Sequence, residues 1–204
     1  MNYVALKRGE AVPLQSICDT EKGAKSSLSV TLISDRDMVD LVKMLDDPKV
    51  IEYLFFAPAP VEVYEAFFMP IITETQDAIR SGEWPRHPTV VVRDENDQFM
   101  GMAGLSQMMF LPGNYDMGYQ LPAHAWQQGI ATALCQLMTD IAFNEMAAYK
   151  VTGSCYGQNI ASAKVLEKCG YVHEGRSVGY YPLRDGFDDR LYLGMTAEQY
   201  ASAS

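Results

Sequence analysis

The chain has 204 residues, 48% of them hydrophobic, and a formal net charge of −10. That is enough apolar material for one sizeable core, and an acidic balance without a Lys/Arg stripe excludes a nucleic-acid-binding protein. No apolar run approaches the ~20 residues that span a bilayer, and no signal-peptide core opens the chain. A soluble cytoplasmic protein without membrane or nucleic-acid partners is expected.

Residues 1–27 mix charged and small polar residues around the patch VPLQSI and read as a strand fragment or an extended lead-in. SLSVTLI suits a strand, since β-branched side chains pack well on a pleated surface. Ser34 or Asp35 is placed to cap a helix in which Met38, Leu41, Val42 and Leu45 recur at helical spacing. Asp46-Asp47-Pro48 stops it. VIEYLFFAPAP has two readings: a short helix packed on the core before a loop, or a substrate-side wall carrying Tyr53, Phe55 and Phe56. Val61 to Arg80 is predicted helical, with Phe67, Phe68, Ile71, Ile72 and Ile79 on its apolar face. Pro70 is expected to bend or divide it, because proline removes an intrahelical bond.

After SGEWPRHP the pattern turns to strands. TVVVRDE and QFMGMAGLSQMMF form an antiparallel hairpin about a Glu-Asn-Asp turn, LPGN is a second turn, and YDMGYQL is the next strand. Gly101, Gly104 and Gly118 are candidates for bulges or close backbone approaches. The helix after Trp126 repeats Ile130, Leu134, Leu137 and Ile141, a core-facing stripe. KVTGSCY is a strand, and the helix from Asn159 turns Ile160, Ala163, Leu166 and Cys169 inward and ends at Gly170. A strand from Tyr171, a turn at Arg184-Asp185-Gly186 and the strand DDRLYLGM close the domain. The order predicts a mixed α/β (α+β) domain over 28–200, with late crossovers and no regular doubly wound series. Cys18, Cys135, Cys155 and Cys169 form no CxxC pair and read as free thiols, and no metal site is expected.

Two helix starts follow strands, at Trp126 to Ala131 and at Tyr156-Gly157-Gln158-Asn159. Unpaired amides collect at such places and can cradle an anion. The string WQQGIAT alone fits either a ligand-free tight turn or such a cradle. Neither GK[ST] nor GxGxxG is present, which argues against ATP and NAD.

Three strings, YDMGYQLPAHAWQQGIATAL, NIASAKVLEKCGYVHEG and DGFDDRLYLGM, resemble the GCN5-related N-acetyltransferase (GNAT) superfamily, in particular its ribosomal-protein and N-terminal acetyltransferase-like branch. The resemblance implies an acyl-CoA N-acyltransferase fold, a central, mostly antiparallel twisted sheet with helices on both faces. It also implies acetyl-CoA as donor and an amine acceptor, either a small molecule or a protein N-terminus, in a monomer or homodimer. The family's pyrophosphate loop falls on Trp126-Gln127-Gln128-Gly129-Ile130-Ala131, so the amides from Gln127 to Thr132 are expected to face phosphate. Asn159 matches the asparagine near the pantetheine arm and equally suits a helix N-cap. YDMGYQL matches the splayed strand, where Met117 or Gly118 would offer an amide to the oxyanion. Asp116 stands where the branch commonly has a glutamate base, and it is otherwise a solvated carboxylate or an arginine partner. Asp185, Asp188 and Asp189 are further candidates for attracting an amine. Leu166 falls where many members carry an acid tyrosine, and Ser162 aligns with the serine offered for that role in this branch. Cys155 reads as a small buried hydrophobe, having no adjacent histidine. The rival reading is a non-catalytic acyl-CoA-binding regulatory or interaction domain on the same fold.

Overall fold

The computed structural model describes residues 2–14 and 27–203. The expected mixed α/β class, with a mostly antiparallel sheet flanked by helices, is found. Its backbone divides into two compact units, Met1–Gly104 with Tyr119–Leu134, and Leu105–Gly118 with Cys135–Ser204. Cys18 and the second half of the VPLQSI patch lie outside the described residues.

In the first unit, where a strand fragment or an extended lead-in was expected, a short strand β1 (Val12–Pro13) lies in the VPLQSI patch, and an unforeseen short helix α1 (Tyr3–Lys7) precedes it. Asn2 caps α1 by accepting from the Ala5 amide, local chemistry that a five-residue helix needs because it is too short to be stable by itself. Strands β2 (Ser29–Leu32), β3 (Thr89–Arg93) and β4 (Phe99–Gln107) follow in a continuous antiparallel ladder from β1. The β3–β4 hairpin shifts register beside Gly101, which has φ of 142°. A Cβ there would stand 2.8 Å from Leu121 Cγ and 2.9 Å from Gln120 O, so this glycine marks both a bulge and a close approach.

Helix α2 (Met38–Leu45) begins after a 3-10 turn over Asp35–Asp37. The buried Asp37 carboxylate accepts the Ser34 amide and hydroxyl, both at 2.9 Å. Arg93 Nη2 then bridges Asp37 at 2.8 Å and Asp40 at 2.7 Å, so the helix start is tied to β3 through a buried cation whose charge is matched. Helix α3 (Val61–Ser81) runs through Pro70 undivided. Pro70 lies on the exposed side, and only Tyr64, Phe68, Ile72, Thr75 and Ala78 are buried, so the core holds the helix along one narrow stripe. Phe67, expected on that stripe, is 61% exposed, because the burial spacing of four from Tyr64 to Phe68 to Ile72 puts it one position off the seam. The core of this unit joins Leu41, Met44, Leu45, Tyr64, Phe68 and Ile72 to Val91, Phe99 and Met102. Each such side chain contributes about 1.5–3 kcal/mol on burial. Leu54 packs against this core while Phe55 and Phe56 stay exposed, so the segment after residue 50 is a 3-10 turn and loop with a packed side and an aromatic exposed side.

The second unit contains β5 (Asn114–Gln120) up to Gly118, β6 (Lys150–Tyr156), α5 (Ile160–Lys168), β7 (Val172–Leu183), β8 (Gly186–Thr196) and α6 (Ala197–Ala203). The β5–β6 ladder is parallel, whereas β6–β8 and β8–β7 are antiparallel, in the order β5-β6-β8-β7. The helix α4 (Ile130–Asp140) carries the predicted stripe of Ile130, Leu134, Leu137 and Ile141, all buried. It widens into a π turn over Ile141–Glu145. In α5, Ala163 and Leu166 are buried as expected, but Ile160 is 54% exposed. Its place in the first helical position, just after the Asn159 cap, turns it away from the sheet.

Candidate active site

In the first unit the segment before α4 is stitched to itself. Trp126 Nε1 donates to Leu121 O at 2.8 Å, and the Gln128 side-chain amide donates to His124 O at 2.8 Å. His124 Nε2 in turn lies 3.0 Å from Phe99 O. Gln127 and Gly129 both take positive φ, 60° and 76°. Glycine adopts that conformation freely, whereas Gln127 holds it at a steric cost. The first intrahelical bond runs from the Ala133 amide to Gly129 O at 3.0 Å. The amides of Ile130 and Ala131, ahead of it, therefore have no acceptor within the helix. This is a helix start whose positive end faces away from the Gln128 side-chain amide, which is turned back onto His124 O. The residues fit an anionic phosphate group through backbone donors.

In the second unit the parallel ladder pairs Asn114 with Lys150, Tyr115 with Val151, Asp116 with Thr152, and Met117 with Gly153. Pairing stops there, although β6 continues to Tyr156 and remains paired on its other side to β8. Gly118 and Ser154 therefore follow the last rung, at a parting of the strands. The two faces of β6 differ by parity. On one face, Gly153 and Cys155 are covered by α5: a Cβ on Gly153 would stand 2.9 Å from Leu166 Cδ2. Leu166 is thus core, and no acid side chain stands at that position.

Asp116, Thr152 and Ser154 are on the opposite face. The Thr152 hydroxyl lies 3.2 Å from Asp116 Oδ1 and 3.3 Å from Tyr115 O. Burial pushes the Asp116 carboxyl above the usual carboxylate range, offset in part by the Thr152 bond and by the positive charge of Arg190. Asp116 is half-buried, with the Thr152 hydroxyl and the charge of Arg190 beside it.

Asn159 accepts the Ser162 amide at 3.1 Å, which makes it the N-cap of α5. The Ser162 hydroxyl hydrogen-bonds the Cys155 thiol, so Ser162 belongs to the α5 face, away from Asp116. Burial pushes Cys155 up to about 11, a protonated thiol at neutral pH and a poor nucleophile. Asp188 accepts the Gln158 amide at 3.0 Å and the Asp189 amide at 2.8 Å, and so holds the turn before α5. Asp189 pairs with Arg176 and accepts the Gly179 amide, while Asp185 is exposed in the hairpin turn. Of the acidic candidates, Asp116 alone stands at the parted strands with its carboxylate uncommitted to a backbone amide.

Sequence reasoning did not single out Thr152, Ser154 or Arg190. Their signal is a period of two polar positions in KVTGSCY and DDRLYL, which register pairing brings to one face. Among the described residues no cluster of three or more His, Cys, Asp or Glu could hold a metal, and no helix is long and apolar enough to cross a membrane.

The acetyltransferase (GNAT) domain family matches residues 28–172. An uncharacterized N-acetyltransferase of Bacillus licheniformis, p20, is 24% identical over 169 residues, which cover 83% of this chain and 91% of that protein. A probable N-acetyltransferase of Bacillus subtilis, YjcK, is 28% identical over 106 residues, or 51% of this chain and 57% of that protein. Among solved structures, the spermidine N-acetyltransferase of Vibrio cholerae in complex with CoA and spermine superposes with a TM-score of 0.72 at 16% identity, over 85% of this chain and 98% of that one. A GNAT-family acetyltransferase of Bacillus anthracis gives 0.69 at 16% identity, over 92% and 99%. At that identity the structures establish a shared fold.

Proposed function

The chain belongs to the GNAT acetyltransferase family, and from that premise we propose that it transfers an acetyl group from acetyl-CoA to the primary amine of a small molecule, with Asp116 as the base. Acetyl-CoA supplies an activated thioester when bound. The amides at the start of α4, from Gln127 to Thr132, are the proposed pyrophosphate donors, with Gly129 and Ala131 small enough to let the backbone approach. Met117, Gly118 and Asn159 are proposed for the pantetheine side. The single domain from 28 to 200, preceded by an N-terminal segment, is the unit proposed to act.

The observation that carries this reading is the desolvated Asp116 at the last rungs before β5 and β6 part. A carboxylate with a raised pKa is a better proton acceptor near neutral pH than an exposed one. It can take the proton of an ammonium group, directly or through one water, and leave a neutral amine to attack. Asp116 and Ser162 lie on opposite faces of β6, a layout that suits an acceptor reaching the gap from one face and a thiol leaving on the other. The Met117 or Gly118 amide would steady the developing oxyanion. Holding both partners in line supplies much of the acceleration, up to ~7–11 kcal/mol in favourable cases.

A small amine is preferred to a protein N-terminus as acceptor. The likeness to a spermidine N-acetyltransferase supports it, while the resemblance of the three sequence strings to the N-terminal acetyltransferase branch supports the other. The test combines titration calorimetry with acetyl-CoA and amine-dependent release of free CoA thiol. Heat of binding followed by turnover on some amine is the expected result. Binding without turnover across a broad amine panel, peptides included, would favour the regulatory acyl-CoA-binding domain instead.

A further inference from the structure

Arg190 is the one feature of the Asp116 face that the acetyl-transfer reading leaves unused. It projects from β8 opposite Tyr156, on the side of the sheet that carries Thr152 and Ser154. Its guanidinium is half-buried and is held in place from several directions. Nη2 donates to Ser154 Oγ at 2.8 Å and Nη1 to the Tyr180 hydroxyl at 3.1 Å. Its carbon sits 5.1 Å from the Tyr180 ring centre and 5.0 Å from that of Tyr192. Ser154 passes a hydrogen bond on to Tyr181, whose ring stacks on Tyr156 at 3.8 Å. Ser177 lies 3.2 Å from the Tyr192 hydroxyl. The guanidinium is therefore fixed in orientation.

What it lacks is a direct ion pair, although its charge reaches the Asp116 carboxyl on the same face. Among the described residues no carboxylate lies within ion-pair distance of Arg190; its Nε is buried without an acceptor, as is that of Arg93. This occurs in a chain with 26 acidic and 16 basic residues. The contrast with Arg93 is direct, since that buried cation bridges two aspartates. Withdrawing an arginine from water without an anion in direct contact is unfavourable, and a fixed fork of donors with a second N–H left on each terminal nitrogen is suited to a planar carboxylate.

The spacing to the proposed base is defined by β6. Asp116 reaches Thr152 and Arg190 reaches Ser154, and two residues along a strand span about 7 Å. An amine hydrogen-bonded to Asp116 and a carboxylate hydrogen-bonded to Arg190 would be separated by one to three carbons. Resting on the acetyl-transfer reading, we infer that the acceptor is a small amino acid in the broad sense, an amine with a free carboxylate a few bonds away, and that Arg190 selects it by binding the carboxylate. A polyamine fits this face poorly. The ring faces of Tyr180 and Tyr192 that would attract a second ammonium already hold Arg190, whose charge repels it. A protein N-terminus has an amide where the carboxylate would be.

The experiment measures kcat/KM by thiol release for alanine, β-alanine and γ-aminobutyrate, each against its carboxamide, with spermidine and a tripeptide alongside. The carboxamides carry the less basic amine, so a preference for the acid form cannot come from easier deprotonation. At least one acid is expected to exceed its amide by about tenfold or more, the range for a charge-assisted hydrogen bond. Arg190→Met should abolish that preference by raising KM for the acid far more than for the amide, and Arg190→Lys should restore part of it. Equal rates for acids and amides, or higher rates for spermidine or the tripeptide, would overturn the inference. So would an Arg190→Met enzyme slowed equally on every acceptor, the outcome of a merely structural role. If Arg190→Met does not fold, the comparison of acids with amides on the unaltered protein still decides. Acetyl-CoA binding is measured on the same preparation: turnover without a carboxylate preference removes the inference alone, whereas absence of binding removes the transferase reading with it.

Discussion

The start of α4 and the Asp116–Arg190 face of the sheet are built on opposite principles. At the start of α4 the donors are backbone amides, set by helix geometry and by two positive φ angles at Gln127 and Gly129. Side chains there serve the loop: Trp126 and Gln128 spend their polar atoms on Leu121 and His124. On the sheet face the backbone is strand, irregular where β7 shifts register around Gly179, and the chemistry lies in side chains delivered by β5, β6, β7 and β8. The first region should tolerate changes of side chain that preserve its turn, and the second should tolerate almost none at its polar positions. One recognises a group common to many reactions, and the other can be respecified strand by strand.

Gly129→Glu tests the first principle and should have the largest effect. A carboxylate about 4 Å from a phosphate interacts unfavourably by about 4 kcal/mol at an effective dielectric of 20, enough to weaken binding by a hundredfold or more. Calorimetry with acetyl-CoA should show that loss. Gly129→Ala is the control, because it brings the cost of positive φ, about 1–2 kcal/mol, without charge. Its expected signature is a lower Tm with acetyl-CoA affinity largely kept. Equal loss of affinity in both variants would show that the turn, and not the negative charge, decides.

Asp116→Asn tests the second principle. The amide keeps the shape of the side chain and cannot accept a proton, so kcat should fall by about 10²–10⁴ while acetyl-CoA affinity stays near its original value. The pH profile carries the sign. Burial raises the Asp116 pKa, so below that pKa the group is protonated and inactive, and activity is lost as pH falls through a value above the ordinary carboxylate range. The same shift means that ionised Asp116 opposes folding: its contribution is most favourable at low pH and is lost as pH rises through the folded pKa. Asp116→Asn should therefore hold or raise Tm at neutral pH while it removes the acidic limb of the rate profile. A fall in both Tm and activity would make Asp116 a structural residue.

Trp126→Phe probes whether the loop before α4 is held by its indole. Removing one donor to Leu121 O costs about 1 kcal/mol, expected as a roughly fivefold rise in KM for acetyl-CoA at constant kcat. Unchanged KM would leave the backbone turn sufficient without it.

The same division explains what was legible in the sequence. Strands, helices and turns from residue 28 onward follow from periodicity and from capping residues, and Ser34, Asn159 and Gly170 stand at the helix ends they signal. The α4 start was legible because its signal, a glycine between a strand and an amphipathic stripe, is local. The sheet face was not, because Ser154 and Arg190 meet across 36 residues and only β-register makes them neighbours. Phe67 and Ile160 were misread for a related reason: hydrophobicity marks candidates for burial, but a shift of one position on a helix decides which are buried.

Ser162→Ala should have the smallest effect, and its result is the most informative about the far side of the gap. Its hydroxyl shares a hydrogen bond with a buried thiol, so in the resting protein it is engaged on the α5 face and is no stronger an acid than any serine. A hydroxyl that only shares a hydrogen bond with a departing thiolate contributes about 0.5–1.5 kcal/mol, a two- to tenfold fall in kcat with KM for the amine unchanged. The Cys155→Ala variant separates the two roles open to it. If Ser162 merely satisfies the thiol, removing the thiol releases the hydroxyl, and Ser162→Ala in that background should leave the rate as it was. If Ser162 meets the leaving group, its substitution should slow both backgrounds by the same factor. A fall of a thousandfold or more in either would make it the general acid, and would place a catalytic side chain on the face that otherwise works through its backbone.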